Sequence, residues 1–308
     1  MSRMEPLVSI GLPVRNGERT VGRAVRSVLE QDHAHLDVVI SDNASTDGTE
    51  EICRDLARSD SRVHYIRQPE NIGLIPNFYA VLHEARGSYF KWMGDDDWLT
   101  PTFVRRCVEL FEEDPALLVV TTRQGHVLPA GQVSSTGYDR DDLRSPRPLE
   151  RFKGLLYVLA ESDVDLDVLY GMVRPGPVAA LPRPVVMNED QVFAARLALA
   201  GPFGHIDEIL SFRNAPPFGT RGATARRLGI PAWQARLPNL VMCRELSTAV
   251  EEAELDPRER REARAAIRHL FVRRQQVTAA RRARKVGGLV SRRPARGLAT
   301  SSASRTGR

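Results

Sequence analysis

Three consecutive carboxylates, Asp95, Asp96 and Asp97, are the residues of this sequence best suited to do chemistry. They follow an apolar run, Tyr89–Met93, and one glycine, and Trp98 comes directly after them. Two like charges about 4 Å apart repel by roughly 4 kcal/mol at an effective dielectric constant near 20. Three carboxylates beside an apolar strand therefore require something that lowers their mutual repulsion. Protonation, arginine partners or a divalent cation could do this, whereas a plain solvent-exposed acidic turn fits poorly between these apolar neighbours. Mg²⁺ and Mn²⁺ prefer oxygen ligands and are often held by one or two carboxylates plus substrate phosphates.

A second candidate is Asp42, which directly follows the apolar segment Leu36–Ser41. A cation that takes phosphate ligands implies a nucleotide, and a carboxylate at the end of a buried strand is a natural acceptor for a base N–H. The residues after it, Asn43, Ser45 and Asp47, can shape a turn through bonds from side chain to backbone. Neither GxGxxG after the first strand nor GxxxxGK[S/T] is present, which disfavours a dinucleotide-dependent oxidoreductase and a P-loop enzyme.

Strand-like apolar runs alternate with helix-like periodicity over about the first 125 residues. Strands are predicted at Leu7–Leu12, Leu36–Ser41, Val63–Gln68, Ser88–Met93 and Ala116–Thr122, and helices at Thr20–Leu29, Thr49–Ala57, Asn77–Ala85 and from Thr100 to about Phe111. This alternation implies βαβ units and an α/β fold with a mostly parallel sheet flanked by helices. Ligands of such sheets bind beyond the carboxyl ends of the strands. We therefore expect the loops 13–18, 42–48 and 94–98 to converge on one crevice.

The second half of the chain is less regular. Strands are predicted at Asp167–Arg174 and His205–Arg213, and helices at Leu149–Ala160, Asn188–Gly201, Pro238–Leu255 and from Pro257 to about Lys285. The end of the chain is predicted to be a helical basic extension followed by a disordered tail. The predicted divisions are 1–125, 126–216, 217–285 and 286–308.

The charge is unevenly distributed along the chain. Residues 257–308 contain sixteen Arg or Lys and two Glu, a net charge of 16 − 2 = +14, so residues 1–256 carry 5 − 14 = −9. A solvated extension is the simplest interpretation of the basic tail. Attraction to anionic lipid, about 1 kcal/mol for each basic residue near the surface, is the alternative. Nucleic-acid binding is not expected, because the tail has few interleaved aromatic residues and no recognised motif.

Composition points to a globular cytoplasmic protein. The sequence is 42% hydrophobic and 27% charged, and no apolar run approaches the roughly 20 residues of a membrane-spanning helix. Only three cysteines occur and they are widely spaced, which fits reduced thiols rather than a disulfide framework. We expect the protein to be in the cytoplasm, where its basic tail could contact the inner face of the cell membrane.

Four segments in order resemble the nucleotide-binding half of family 2 glycosyltransferases: VSIGLPVRN, VVISDNASTDGT, PENIGLIPNF and ARGSYFKWMGDDDWLTP. The resemblance implies a GT-A fold, a nucleotide-diphosphate sugar donor, Mn²⁺ or Mg²⁺, and inverting transfer of a sugar to an acceptor hydroxyl. It implies that Asp97 binds the metal, Asp42 contacts the base, and Asp95 and Asp96 contact ribose or metal-bound water. Further nucleotide-binding candidates in the matched segments are Pro13, Arg15, Asn16 and Asn77. In one departure, Gly94 replaces the first acid of the usual Leu-Asp-x-Asp-Asp pattern.

The base of an inverting transfer must reach the acceptor proton and be ionised. Glu189 and Asp190 lie in the first turn of the helix predicted at Asn188–Gly201, where the helix dipole favours a carboxylate by about 0.3–1 kcal/mol. The resemblance matches Asp190 to the base, with Glu189 as the second choice, although both could simply cap the helix. The acceptor is expected to be a glycan or lipid-linked glycan, as in cell-surface polysaccharide synthesis. A nucleotide-sugar-binding protein without activity and a nucleotidyltransferase are the rival interpretations.

Overall fold

The computed structural model describes residues 5–128, 131–136, 140–161, 168–214 and 221–290. The strands are β1 (Val8–Val14), β2 (Leu36–Asp42), β3 (Val63–Arg67), β4 (Tyr89–Trp92), β5 (Trp98–Leu99), β6 (Val119–Val127), β7 (Val133–Thr136), β8 (Met172–Val173) and β9 (Phe203–Asn214). The α-helices are α1 (Val21–Leu29), α2 (Thr49–Ser59), α3 (Leu74–His83), α4 (Phe103–Glu113), α5 (Pro148–Glu161), α6 (Pro175–Ala179), α7 (Glu189–Ala200), α8 (Arg221–Leu228), α9 (Ala232–Arg236), α10 (Pro238–Glu252) and α11 (Pro257–Val290). Short 3₁₀-helices lie at Asp141–Arg144 and Val168–Tyr170.

The strands form one mixed sheet in the order β3-β2-β1-β4-β8-β6-β9-β5, with β7 paired to β6 as a hairpin. Strands β1 to β4 are parallel to one another, and β6 is parallel to β9. The short strands β8 and β5 run antiparallel to their neighbours. The α/β prediction is confirmed, and the parallel half is the part that the strand–helix alternation predicts.

Apolar side chains cover both faces of the sheet. Successive residues of β2 point to opposite faces, so Val39 belongs to one apolar layer and Val38 and Ile40 to the other. The first layer packs the sheet against α3, α5, α7, α10 and α11, and the second packs it against α1, α2 and α4. Ile267 and Leu270 of α11 are buried in the first layer, so the helical extension is packed onto the sheet domain.

Strand β1 is buried along its whole length although it contains Pro13. Pairing with β4 stops at Gly11, whereas pairing with β2 continues to Val14. The Gly11 carbonyl accepts a hydrogen bond from the β4 side. Because the backbone groups of successive strand residues face the two neighbouring strands in turn, the nitrogen of Pro13 also faces the β4 side, at a point past the end of β4. Proline, which has no N–H to donate, is therefore tolerated there.

Several predicted boundaries are wrong for local reasons. Helix α4 begins at Phe103, because the Thr100 hydroxyl donates to Leu210 O and its carbonyl closes a turn with the Phe103 N–H. The predicted strand Asp167–Arg174 is described from residue 168 onward, and in that part only Met172–Val173 is a strand, with a 3₁₀-helix before it.

The C-terminal helix is longer than predicted. Helix α11 continues past the predicted end at Lys285, whereas residues 291–308 lie outside the described part of the chain. Disorder there and the four predicted divisions therefore stay predictions. In the described ranges, no helix is both long and apolar enough to cross a membrane.

Candidate active site

The loops after β1 and β2 are bonded to each other through Asn16. Its backbone N–H donates to Ser45 Oγ at 2.9 Å, and its side-chain oxygen accepts the Thr46 N–H at 2.9 Å. The next residue, Gly17, donates its N–H to Thr49 Oγ1 at 2.8 Å. Asn16 has a left-handed φ of 56°, a conformation that asparagine tolerates better than most residues. Two of the three loops expected to converge are therefore joined.

Asp42 at the end of β2 is fully buried and has three hydrogen-bond donors around it. The Ser45 N–H donates to Oδ1 at 2.8 Å, while the Tyr65 hydroxyl and Arg67 Nη1 donate to Oδ2 at 2.8 and 2.7 Å. An ionised carboxylate has about four acceptor sites, so about one is unused, and another donor could reach it when a covering side chain such as Arg67, 31% exposed, moves aside. Arg67 was missed by the sequence analysis. It ends β3 directly beside Asp42 in the parallel register, and a charged residue at that end was the available signal.

The acid triplet lies against the start of α1. Thr20 Oγ1 donates to Asp95 Oδ2 at 2.9 Å, and Arg23 Nη2 donates to the backbone oxygen of Asp96 at 2.9 Å. Asn214, at the end of β9, donates to the same Asp96 oxygen at 3.0 Å. The loops after β1, β2 and β4 are therefore all in contact at one edge of the sheet, where the carboxyl ends of β1, β2 and β4 meet.

Asp97 is the most buried acid of the triplet, with 5% of its surface exposed. Its Oδ2 accepts the Gly94 N–H at 3.2 Å, and its Oδ1 lies 3.4 Å from Arg213 Nε. Burial raises the pKa of Asp97, and the charge on Arg213 opposes that rise. A Cβ on Gly94 would lie 2.8 Å from Asp97 Oδ2, so a larger residue at position 94 would displace this carboxylate.

The triplet fits a divalent cation that takes most of its ligands from a bound substrate. Burial, together with the charge on Asp96, raises the pKa of Asp95 against the lowering effect of the Thr20 hydrogen bond. A cation would relieve the burial of these charges. Across the described ranges, no three His, Cys, Asp or Glu side chains form a metal-binding group. The chain would thus supply one or two carboxylates, as is common for Mg²⁺ shared with phosphates.

A buried lysine lies close to the triplet. Lys91 on β4 is 1% exposed, its ammonium donates to the Tyr170 backbone oxygen, and its Nζ lies 4.6 Å from the centre of the Phe103 ring. Burial lowers its pKa to about 8, and the charge on Asp97 opposes that shift. The sequence analysis treated Lys91 as part of an apolar strand. A lone lysine in such a run was a signal for a buried positive charge.

The two acids at the start of α7 have different surroundings. Glu189 is 8% exposed and is held by the buried Arg183, with Nε 2.5 Å from Oε2 and Nη2 3.0 Å from Oε1. Burial raises the pKa of Glu189, and Arg183 opposes the rise. Asp190 is exposed, and its Oδ1 accepts the Gln191 N–H at 2.9 Å. Asn188, just before them, has a left-handed φ of 60° that turns the chain into the helix.

Tyr170 connects the triplet with the start of α7. The charges on Asp97 and Glu189 both raise the pKa of its buried phenol, although burial is the main cause. The Arg213 guanidinium lies 4.2 Å from the centre of the Tyr170 ring. The phenol of Tyr170 is thus affected by the charges on an acid of the triplet and on one acid of α7.

Helix α11 contributes an arginine to the neighbourhood of Asp190. Arg274 donates from Nη2 to Leu159 O at 3.0 Å, and its Nη1 lies 3.4 Å from Met242 Sδ. Burial lowers the pKa of Arg274, and the charge on Asp190 opposes that shift. The sequence analysis gave no role to α11 at the site, because only the packing of that helix brings Arg274 near Asp190.

Residues 9–148 match the sequence model of glycosyl transferase family 2. The chain carries a family 2 glycosyltransferase domain. A chondroitin synthase of Pasteurella multocida strain Pm70 is 34% identical to this chain over 134 residues, which are 44% of this chain and 14% of that relative. The chain therefore spans much less than the full length of this relative. The family predicted from the four segments is confirmed.

Two solved structures have the same fold as this chain. TarS of S. aureus in complex with UDP has a TM-score of 0.61 and 16% identity, over 85% of this chain and 70% of that chain. A mannosyltransferase of Pyrobaculum calidifontis, PcManGT, in complex with GDP-Man and Mn²⁺, has a TM-score of 0.56 and 16% identity, over 94% of this chain and 82% of that chain. The predicted GT-A fold is confirmed.

The remaining predicted site residues of the glycosyltransferase domain differ in accessibility. Pro13 is buried in β1, whereas Arg15 is exposed in the loop that follows. Asn77 is 3% exposed, and its amide bonds Ser41 at both ends, accepting from Oγ at 2.7 Å and donating to the backbone oxygen at 3.0 Å. Asn77 thus links α3 to β2. Nucleotide contacts of these residues stay predictions.

Proposed function

We propose that the protein is an inverting glycosyltransferase that moves a single sugar from a nucleotide-diphosphate sugar to an acceptor hydroxyl. The observation that carries the proposal is the joining of three loops at one sheet edge. Asp42 and the acid triplet follow the strands whose loops are joined there, and the phenol of Tyr170 is affected by the charges on both Asp97 and Glu189 of α7.

A nucleotide diphosphate suits the charges and hydrogen-bonding groups of this edge. Asp42 keeps an acceptor site for a base N–H, while Arg15 is exposed and Arg213 partly exposed beside the crevice. Support comes from TarS, solved with UDP and with UDP-GlcNAc, and from PcManGT, solved with GDP-Man. We assign the base contact to Asp42 and the ribose contacts to Asp95 and Asp96.

Asp97 is the residue we assign to the cation, with Asp95 or Asp96 as an additional ligand. When bound, Mn²⁺ or Mg²⁺ would neutralise charge on the leaving nucleoside diphosphate. The mannosyltransferase solved with Mn²⁺ supports this assignment. Arg213 and Lys91 hold positive charge near Asp97, which favours its ionised form.

Asp190 is the group we assign to take the acceptor proton. It is exposed to an incoming hydroxyl and lies at the N-terminus of the twelve-residue helix α7, where the dipole favours an ionised carboxylate. Glu189 is less suited, because Arg183 engages both of its oxygens. A carboxylate oxygen of Asp190 would take the acceptor proton while the acceptor oxygen bonds to the anomeric carbon of the sugar. The bond from that carbon to the nucleoside diphosphate would break on the opposite face, which inverts the anomeric centre.

The acceptor that we propose is a glycan or lipid-linked glycan used in polysaccharide synthesis. The similarity to a chondroitin synthase supports a carbohydrate acceptor. We also propose that the protein acts in the cytoplasm and that its basic C-terminal residues can contact the inner face of the membrane.

Donor hydrolysis and transfer assays test the proposal directly. Purified protein is incubated with UDP-, dTDP- and GDP-sugars, with Mn²⁺, Mg²⁺ or a chelator, and released nucleotide is measured. Nucleotide release that needs a cation and disappears in Asp97→Ala is the expected result. Asp207→Ala, which changes a side chain 81% exposed, is the matched control. Binding of nucleotide sugars without any turnover would favour an inactive binding protein. Formation of pyrophosphate from a nucleoside triphosphate and a sugar 1-phosphate, in place of transfer, would favour a nucleotidyltransferase.

A further inference from the structure

Residues 221–244 form a surface that is both strongly basic and apolar. This stretch contains five arginines and no Asp or Glu, a net charge of +5. Trp233, Leu237 and Leu240 are 49%, 51% and 53% exposed. We call this the α8–α10 surface; besides these three residues it comprises Arg221, Arg226, Arg227, Arg236 and Arg244, all exposed. Nothing in the proposed transfer reaction uses these side chains.

Trp233, Leu237 and Leu240 form a row along the chain. The Leu237 N–H donates to Trp233 O at 3.1 Å, and the Val241 N–H donates to Leu237 O at 3.2 Å, so Leu237 ends α9 and caps the start of α10. Leu240 and Arg244 are four residues apart in α10 and share one face of that helix. Trp233 and Leu237, which come before them in the chain, are exposed as well.

The opposite side of these helices is firmly packed, so the exposure of the row does not come from loose structure. Val241 and Met242 are buried in the core below α10. Gln234 is 9% exposed, and its Oε1 accepts the Met187 N–H at 3.2 Å. This bond fixes α9 to the segment that leads into Asp190, so the α8–α10 surface lies beside the acceptor side of the crevice.

We infer that the α8–α10 surface docks the protein onto an anionic lipid membrane. Tryptophan prefers the membrane–water interface, and leucines of an amphipathic helix bury into the headgroup region. The five exposed arginines, in a stretch that contains no Asp or Glu, are attracted to anionic headgroups. A second copy of this chain is a poor partner, because it would bring one +5 surface against another.

Docking of this kind would set the orientation of the site. Since Gln234 ties the surface to the segment before Asp190, the crevice would open along the bilayer, towards an acceptor held in the membrane. This last step rests on the proposed function, whereas membrane binding itself does not. An experiment can therefore contradict membrane binding without contradicting sugar transfer, and the reverse.

Vesicle sedimentation of the full-length protein tests the inference. Vesicles of phosphatidylcholine alone are compared with vesicles that also contain phosphatidylglycerol, at low and high salt. We expect binding to the anionic vesicles only, weakened by salt. The variant Trp233→Ser/Leu237→Ser/Leu240→Ser should lower the partition coefficient by about tenfold or more. Val133→Ser, which removes an apolar side chain 50% exposed on the β6–β7 hairpin, should leave it unchanged.

A second variant keeps the inference testable if the first variant fails to fold. Arg236→Gln/Arg244→Gln changes only exposed charges and should lower the partition coefficient by about fivefold or more while reducing the salt dependence. Circular dichroism melting reports on folding. Unchanged binding in both variants would overturn the inference. So would binding that is lost only in Arg292→Gln/Arg293→Gln/Arg296→Gln, which would make the tail the contact. A change of oligomeric state without vesicle binding would instead assign the row to a second copy.

Discussion

Arg183 holds Glu189 in a two-point ion pair, with its Nε 2.5 Å from Oε2 and its Nη2 3.0 Å from Oε1. Asp190, the next residue along the helix, is exposed. Two adjacent acids that cannot be distinguished in the sequence thus differ in what they can do. The ion pair fixes the start of α7, and the exposed carboxylate can meet an acceptor.

Substitutions at the two acids should separate these tasks. Asp190→Asn should reduce the turnover number by at least about a hundredfold, because the amide cannot take a proton, and should leave the melting temperature unchanged. Glu189→Gln should lower the free energy of unfolding by roughly 3 kcal/mol, because the buried Arg183 loses its charged partner. Steady-state kinetics and urea unfolding measure the two effects. A Glu189→Gln protein that is stable and inactive, beside an active Asp190→Asn protein, would reverse the assignment.

Asp97→Asn should weaken donor binding and stabilise the unliganded protein at the same time. Burial raises the pKa of Asp97, so the ionised carboxylate destabilises the fold at neutral pH, and that cost grows as pH rises above the pKa of the unfolded state. Calorimetry of nucleoside diphosphates with Mn²⁺ should show at least about a tenfold loss of affinity, while urea unfolding at pH 7 shows equal or higher stability. An asparagine variant that binds the donor normally would exclude Asp97 as the metal ligand.

Lys91→Met should remove a pH-dependent contribution to stability. The folded pKa of Lys91 is about 8, below its ordinary value of 10.5, so the unfolded chain binds more protons between these two pH values. Stability from this residue therefore rises as pH increases through that window. The free energy of unfolding of the native protein relative to Lys91→Met should increase by about 3 kcal/mol between pH 7 and pH 10.5. Urea unfolding at a series of pH values checks this, and a constant difference would contradict it.

Arg274→Met should move the acidic limb of the pH–rate profile to higher pH. The positive charge of Arg274 favours the ionised form of the nearby Asp190, so its removal makes Asp190 easier to protonate. Turnover measured from pH 5 to pH 9 reports this shift, while activity at the plateau should be kept. The exposed Arg258→Met, on the same helix, should leave the profile unchanged. An equal loss of activity at every pH would point to a purely structural role for Arg274.

The parallel half of the sheet could be predicted because each of its strands has a strong local signal. The apolar runs at Leu36–Ser41 and Val63–Gln68 lie within about a residue of β2 and β3. The turn residues that follow the predicted strands also indicated that the loops after β1 and β2 would meet, and Asn16 joins these two loops. Strand β5 was missed, and β8 was predicted too long, because a strand of two residues carries no detectable periodicity.

The sequence by itself determined the α/β fold, the family and the place of the acid triplet at the end of β4, because strand periodicity and turn chemistry act over a few neighbouring residues. Only the tertiary structure decided which charges meet. Arg67 reaches Asp42, Arg183 engages Glu189, and Arg213 lies beside Asp97 because strands and helices distant in the chain pack together. Electrostatic interactions depend on distance in space and on burial, and the order of residues along the chain fixes neither of them.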